Sequence, residues 1–221
     1  MTYKTETHSH TDESSYCATI PAREMMRIYK ERGYKTIIIT PHYSRVYFSR
    51  ITDDWQERID YILLGYKTAK SMEEELDINV LMGIELNLIE DGNDYLIYGI
   101  TEEFLRENVN LYSLTLDNLI NICRENDFLI TQPHPFRDNS ELAPLEYQMP
   151  IEVFNGRCVL DARNDLALRY AKENNLIGVS GTDFHESADL EGGIITQTEI
   201  KTIEEFKEHI LSNNFDIITS Q

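Results

Sequence analysis

Side chains that bind metals recur at one place in the pattern of this chain, directly after short apolar runs. Five of the six histidines do so, and two acids join them. His8 and His10 follow Tyr3 to Thr7. His42 follows Thr36-Ile37-Ile38-Ile39-Thr40, and Glu85 closes Val80-Leu81-Met82-Gly83-Ile84. His134 follows Phe128-Leu129-Ile130-Thr131, and Asp183 with His185 follows Ile177-Gly178-Val179-Ser180. Such runs read as strands. In an α/β protein the carboxyl ends of parallel strands face one side, where ligands bind. Scattered histidines have no reason to choose one edge, so the pattern points to one site with donors for two or more metal ions.

The intervening segments read as helices. One is expected from Pro21 to Arg32, with Pro at its first turn and Gly33 as its stop. A longer one opens near Thr52-Asp53-Asp54 and runs to about Leu76, its Trp55, Ile59, Ile62, Leu63, Tyr66 and Met72 spaced as a buried face. Strands are expected over Asn79 to Leu88 and Tyr95 to Ile100, joined by the turn Glu90-Asp91-Gly92-Asn93. Further helices are expected over Leu114 to Asn126, Asp161 to Asn175 and Thr202 to Asn213, the last opened by a Thr-Ile-Glu-Glu capping box. Ile151 to Phe154 and Phe215 to Thr219 complete the strands. Alternation of this kind implies parallel βα units, about seven of them, in one α/β domain over residues 1–221, closed or nearly closed into a barrel. No linker or repeat divides the 221 residues.

The spacing within each motif has a chemical reason. In His8-Ser9-His10 the imidazoles lie two apart, on the same side of an extended strand, and both can reach one ion. Alone, this is also what two surface histidines near a terminus look like. Thr40-Pro41-His42 and Gln132-Pro133-His134-Pro135 equally suit a plain turn. Glu85 ends an apolar strand, where a carboxylate is costly unless paired or bound to metal, and a carboxylate can bridge two cations. Asp183 and His185 repeat the i, i+2 spacing. His209, inside the last helix, reads as an ordinary boundary residue.

The formal charge of −19 argues against a duplex nucleic-acid partner, which needs a basic surface. Arg45, Arg137 and Arg157 nevertheless fall in the loops beside the candidate ligands, where guanidinium forks suit phosphate or carboxylate oxygens; singly, each could pair with a neighbouring acid. Together they suggest a small anionic substrate. Cys17, Cys123 and Cys158 have no close pairing and read as reduced thiols, packed or in loops. With no signal-peptide pattern and no membrane-spanning run, a cytoplasmic location is expected.

Taken in order, Thr7-His8-Ser9-His10-Thr11, Ile39-Thr40-Pro41-His42, Gly83-Ile84-Glu85, Pro133-His134-Pro135, Glu152-Val153-Phe154-Asn155-Gly156 and Gly181-Thr182-Asp183-Phe184-His185 resemble the PHP (polymerase and histidinol phosphatase) domain phosphoesterases. The resemblance implies a distorted (β/α)7 barrel with two or three divalent ions, zinc, manganese or iron. It implies that His8, His10, Glu85 and Asp183 bind one ion, that Glu85 bridges to a second also held by His134, and that His42 with His185 holds a third. Two departures stand out. Where many members carry His or Asp past the first motif, this chain has Ser15, Tyr16 and Cys17, and Tyr16, Asp12 or Glu13 are the candidate substitutes. Where members with three full sites place a histidine after the fourth strand, it reads Tyr98-Gly99-Ile100-Thr101.

The chemistry so implied is hydrolysis of a small phosphate ester by metal-activated water. Arg137 or Arg157 would steady the phosphoryl charge, and Asp183 or His185 would help proton transfer to the leaving group. The rival readings are a metal-dependent amidohydrolase and a degenerate, non-catalytic binding module. Oligomeric state is not legible.

Overall fold

The structure, a computed structural model, describes residues 1–157 and 159–220; the reading of Cys158 as a packed or loop residue lies outside them. The strands are β1 (Tyr3–Ser9), β2 (Tyr34–Ile39), β3 (His42–Tyr43), β4 (Asn79–Asn87), β5 (Asp94–Tyr98), β6 (Leu129–Thr131), β7 (Ile151–Asn155), β8 (Gly178–Gly181), β9 (Ile194–Thr196) and β10 (Asp216–Ile217). They form an open, curled sheet in the order β10-β9-β1-β2-β4-β5-β6, with β3 beside β4, and a separate pair, β7-β8.

The pairing departs from seven regular parallel units. β1, β2 and β4 are parallel, but β5 runs antiparallel to both β4 and β6. Its reversal follows from the short turn at Glu90 to Asn93, with Gly92 at φ 73°, since a tight connection can join only antiparallel neighbours. β9, which the sequence pattern did not suggest, pairs antiparallel with β1 and with β10, and the expected terminal strand shrinks to two residues. The β7-β8 pair meets the main sheet through single bridges, Gln132 to Ile151 at one side and Ser9 to Phe184 at the other.

Both faces of the central strands are covered. Ile37 and Ile39 pack with Met25, Met26 and Tyr29 of the helix Ala22–Glu31, whereas Ile38 points the other way toward Leu81, Leu96 and Tyr98. A parallel strand buried on both sides has this continuous apolar character. Two long helices expected from the sequence are broken. The first divides into Trp55–Ile62, Leu64–Lys70 and Glu73–Leu76. There Gly65 lies so close to the loop after β1 that a Cβ would meet Thr11 Oγ1 at 1.9 Å. The second divides at Arg163, with φ 49°, into Val159–Ala162 and Asn164–Asn174. Asn164 is held there by reciprocal hydrogen bonds with the Asn155 backbone. The capping box at Thr202 and Glu205 is present. Among the described residues, no helix is long and apolar enough to cross a membrane.

One buried acid ties β1 to β8. Glu6 accepts hydrogen bonds from the Thr7, His8 and Thr182 amides and from the Tyr29 and Thr182 hydroxyls. Burial raises its pKa, and the donated hydrogen bonds oppose that rise. Replacing it strands several buried donors at about 1–3 kcal/mol each. Glu6→Ala is expected to lower stability in urea unfolding by about 3 kcal/mol or more; a loss under about 1 kcal/mol would show that the network is dispensable.

Candidate metal centre

The strand-end residues converge. His8 sits on β1 and His10 directly follows it, and Glu85 on β4 is in register with His42 on β3. Pro41 accepts the Glu85 amide and so holds the two segments together. Glu85 lies among four imidazoles. His8 Nε2 and His134 Nε2 are 3.3 and 3.1 Å from Oε1, and His10 Nε2 and His42 Nδ1 are 3.4 and 2.6 Å from Oε2. The His42 contact is short but too far off line to satisfy Glu85 Oε2 with a hydrogen bond. Asp183 Oδ1 closes the other side, 3.5 Å from His8 Nε2 and 3.3 Å from His10 Nε2. His8, His10, Glu85, His134, Asp183 and His185 are each no more than 2% exposed.

Two of these residues are held in the left-handed region that non-glycine residues rarely adopt, His134 at φ 30° and Asp183 at φ 55°. Strained backbone of this kind persists only where its surroundings impose it, and it gathers at functional sites.

The donors fit metal ions better than they fit each other. His8 Nε2, both ring nitrogens of His10, Glu85 Oε2 and His134 Nδ1 are buried without a hydrogen-bond partner. An orphaned buried polar atom costs about 1–3 kcal/mol. Four triads have potential ligand atoms all within 4.8 Å of one another: His8-His10-Glu85, His8-His134-Asp183, Glu85-Asp94-His134 and His10-His42-His185.

Electrostatics divide the cluster. Burial works against charge on His8, but Asp183, Glu152 and Glu85 outweigh it and raise its pKa well above the ordinary value. Burial, with His42 and His185 alongside, holds His10 well below its own. His42 rises to about 10 because Glu85 overcomes burial. His134 is raised in the same way. Although burial pushes the other way, the imidazoles hold Glu85 and Asp183 well below the carboxylate range.

A match over residues 6–219 to the PHP domain decides the family. This chain belongs to it. Among solved structures, a two-domain protein from Bacteroides vulgatus containing a predicted PHP-like metal-dependent phosphoesterase superposes with TM-score 0.67 at 16% identity, over 99% of this chain. This chain spans 65% of that protein's length. PsfC from Pseudomonas syringae gives TM-score 0.70 at 15% identity, over 99% of this chain and 92% of that one. An amidohydrolase from Chromobacterium violaceum gives 0.51 at 15% identity, over 82% and 87%. These likenesses concern the fold. A search of curated proteins finds no match.

Within this PHP domain, the other expected residues divide. Asp12 is exposed. Tyr16, 53% exposed, stacks on Tyr47 at 4.2 Å and under Arg50 at 4.2 Å. Neither joins the donor cluster; the loop after β1 turns back through the Ser14 and Ser15 amides on Thr11 O and presents the next residue instead. That residue is Cys17, a loop residue as one of its two readings had it but not a packed one: Sγ lies 3.3 Å from His42 Nε2, 3.0 Å from His185 Nε2 and 2.9 Å from the Tyr47 hydroxyl. Burial opposes ionisation, yet His185 and His42 bring the thiol down to about 5. Arg137 reaches the cluster, its Nη2 3.4 Å from Asp183 Oδ2. Arg157 donates its backbone amide to Asn155 Oδ1, and Arg45 is exposed at the start of the helix Arg45–Phe48. His209 contacts Thr198 and the Asn214 carbonyl in the last helix.

Asp94 went unread in the sequence, and Glu152 stood there only within a motif, with no role of its own. Because β5 is reversed, its beginning and not its end faces the site, so Asp94 and not Tyr98 to Thr101 lies there, its Oδ2 3.9 Å from His134 Nε2. Burial and then Glu85 raise the Asp94 pKa. Glu152 stands behind the ligands, its Oε1 3.1 Å from His8 Nδ1. Its Oε2 accepts from the His134 amide and from Asn155 Nδ2. A carboxylate on the far ring nitrogen fixes a ligand's tautomer, and losing it typically costs 10–100-fold in metal affinity. Glu152→Ala is therefore expected to weaken zinc binding about 10–100-fold by competition with a chromophoric chelator; unchanged affinity would remove that role.

The raised pKa values of His8 and His42 mean that the metal-free fold holds protons there at neutral pH, which a cation must displace. Apparent zinc affinity should rise with pH and fall as pH drops. Calorimetry in buffers of different ionisation enthalpy should show proton release on binding at pH 7; none would contradict the assignment.

Proposed function

We propose that this chain is a metal-dependent phosphoesterase acting on a small anionic phosphate ester. The buried donor cluster with its unpartnered nitrogens and oxygen carries the reading. His8, His10, Glu85 and Asp183 would hold one ion, Glu85, Asp94 and His134 a second, and His42 with His185 a third, so two or three in all. Mixed imidazole and carboxylate donors suit zinc, manganese or iron. Such ions supply an activated water and neutralise phosphoryl charge.

The chain's own groups do the rest. Arg137, partly exposed and shared between Asp183 and Asp161, is within reach of both the cluster and solvent and can turn onto a phosphoryl oxygen. Arg45 and Arg157, in the segments that follow His42 and Asn155, would favour an anionic substrate. Asp183 and His185 lie side by side at the cluster, and whichever of them is not engaged by an ion would help a proton reach the leaving oxygen. The single bridges beside β7 and β8 support reading the two sheets as parts of one distorted seven-unit barrel and a single domain. The acidic balance disfavours a duplex nucleic-acid partner, and the free Cys17 and Cys123 thiols suit a reducing cytoplasm.

The amidohydrolase reading has one observation in its favour, the shared fold of the Chromobacterium protein. One experiment separates the two. Protein purified without tag or chelator is assayed for metal by elemental mass spectrometry and screened against phosphate esters and amides, beside Glu85→Ala. Two or three ions per chain and phosphate release, lost by more than about a hundredfold in the variant, are expected. Amide cleavage alone would favour the rival, and a chain that stays empty after incubation with zinc, manganese and iron would sink both.

A further inference from the structure

We propose that Cys17 is a metal ligand whose thiolate completes the position formed by His42 and His185, making that position selective for a thiophilic divalent cation of the zinc class. The proposal rests on reading the cluster as a metal centre and goes beyond it, since it assigns one ligand and a selectivity.

Two imidazole nitrogens face one sulfur. Cys17 Sγ is 3.0 Å from His185 Nε2 and 3.3 Å from His42 Nε2. The opposite nitrogens are engaged elsewhere. His185 Nδ1 donates to the Asp183 carbonyl at 2.8 Å, and His42 Nδ1 lies against Glu85 Oε2 at 2.6 Å. His185, whose Nδ1 proton goes to that carbonyl, keeps its lone pair on Nε2, and both histidines turn Nε2 toward the sulfur.

A second observation comes from His10. Its ring is fully buried, both nitrogens lack a hydrogen-bond partner, and it stacks on His42 at 4.1 Å and lies 4.4 Å from His185. The potential ligand nitrogens of these three histidines lie within 4.8 Å of one another. Thiol–imidazole hydrogen bonds alone would explain the cysteine and leave His10 unexplained; a cation among the four residues accounts for both.

The sulfur is what distinguishes this position. The His8-His10-Glu85, His8-His134-Asp183 and Glu85-Asp94-His134 triads offer only nitrogen and oxygen, which accommodate manganese as readily as zinc. A thiolate shifts preference toward zinc, cobalt or cadmium. Binding releases to solvent whatever proton the cysteine and its two histidines hold between them, with no change in oxidation state.

The test uses the full chain. X-ray absorption at the zinc edge of the zinc-loaded protein should show a sulfur neighbour at about 2.3 Å beside nitrogen and oxygen at about 2.0–2.1 Å. Titration with cobalt(II) should raise a sulfur-to-metal charge-transfer band that saturates at one equivalent. Cys17→Ser should abolish both signals, whereas Cys123→Ser and Cys158→Ser should keep them. A zinc-loaded wild-type protein without a sulfur neighbour, or a sulfur signal that survives Cys17→Ser, overturns the proposal, and the wild-type spectrum decides even if the variant does not fold. A sulfur signal without phosphate-ester hydrolysis keeps the ligand assignment and discards the phosphoesterase. Hydrolysis without the signal does the reverse, and a protein that takes up no metal ends both.

Discussion

The cost of removing charged groups from water governs this structure. Glu85 and Asp183 lie almost wholly buried among imidazoles, and an isolated buried carboxylate is untenable. Each must be surrounded by partners of opposite sign held at fixed distance, and much of the fold supplies that holding. Glu152 braces His8 and the His134 amide, Asn155 reaches both Glu152 and Asp183, and Asp189 accepts the His185 amide. Even backbone strain at His134 and Asp183 belongs to this account, because the residues that impose it also aim the ligands.

Chain direction then determines which residues can take part. Parallel strands deliver their carboxyl ends to the site, which is why His10, Glu85, His134 and Asp183 share it. The reversed β5 delivers its amino end, bringing Asp94 beside His134. A single tight turn thereby exchanges a histidine expected after the strand for an aspartate before it.

The strand-end donors were legible because the apolar runs before them are unmistakable, and all seven lie in one cluster of residues that could hold metal. Other features depend on contacts distant in sequence. Asp94 required knowing that β5 is reversed. Glu6 and Glu152 lie within strands, where an acid ordinarily marks a solvent-facing position, and only the neighbouring strands turn them inward. Cys17 is placed by the loop after β1, so the sequence pointed to Asp12, Glu13 and Tyr16 in its stead. The helix breaks at Leu63 and Arg163 answer to tertiary packing, at Gly65 and Asn164, that periodicity cannot register.

The way the two sheets meet has a mechanical consequence. β7 and β8 join the rest through one isolated bridge on each side, so side-chain contacts, the Glu6 network among them, carry much of the joint. Among the side chains crossing these seams are the candidate donors and their supports: His8 and His10 face Asp183 across one, and the His134 amide reaches Glu152 across the other. A cation shared across the seam acts as a clasp, and ligands that bind only the joined form stabilise it in proportion to their saturation. Catalytic cofactor and structural fastener would then be the same ion, so the metal supply of the cell would set how firmly the molecule holds its shape as well as how fast it turns over.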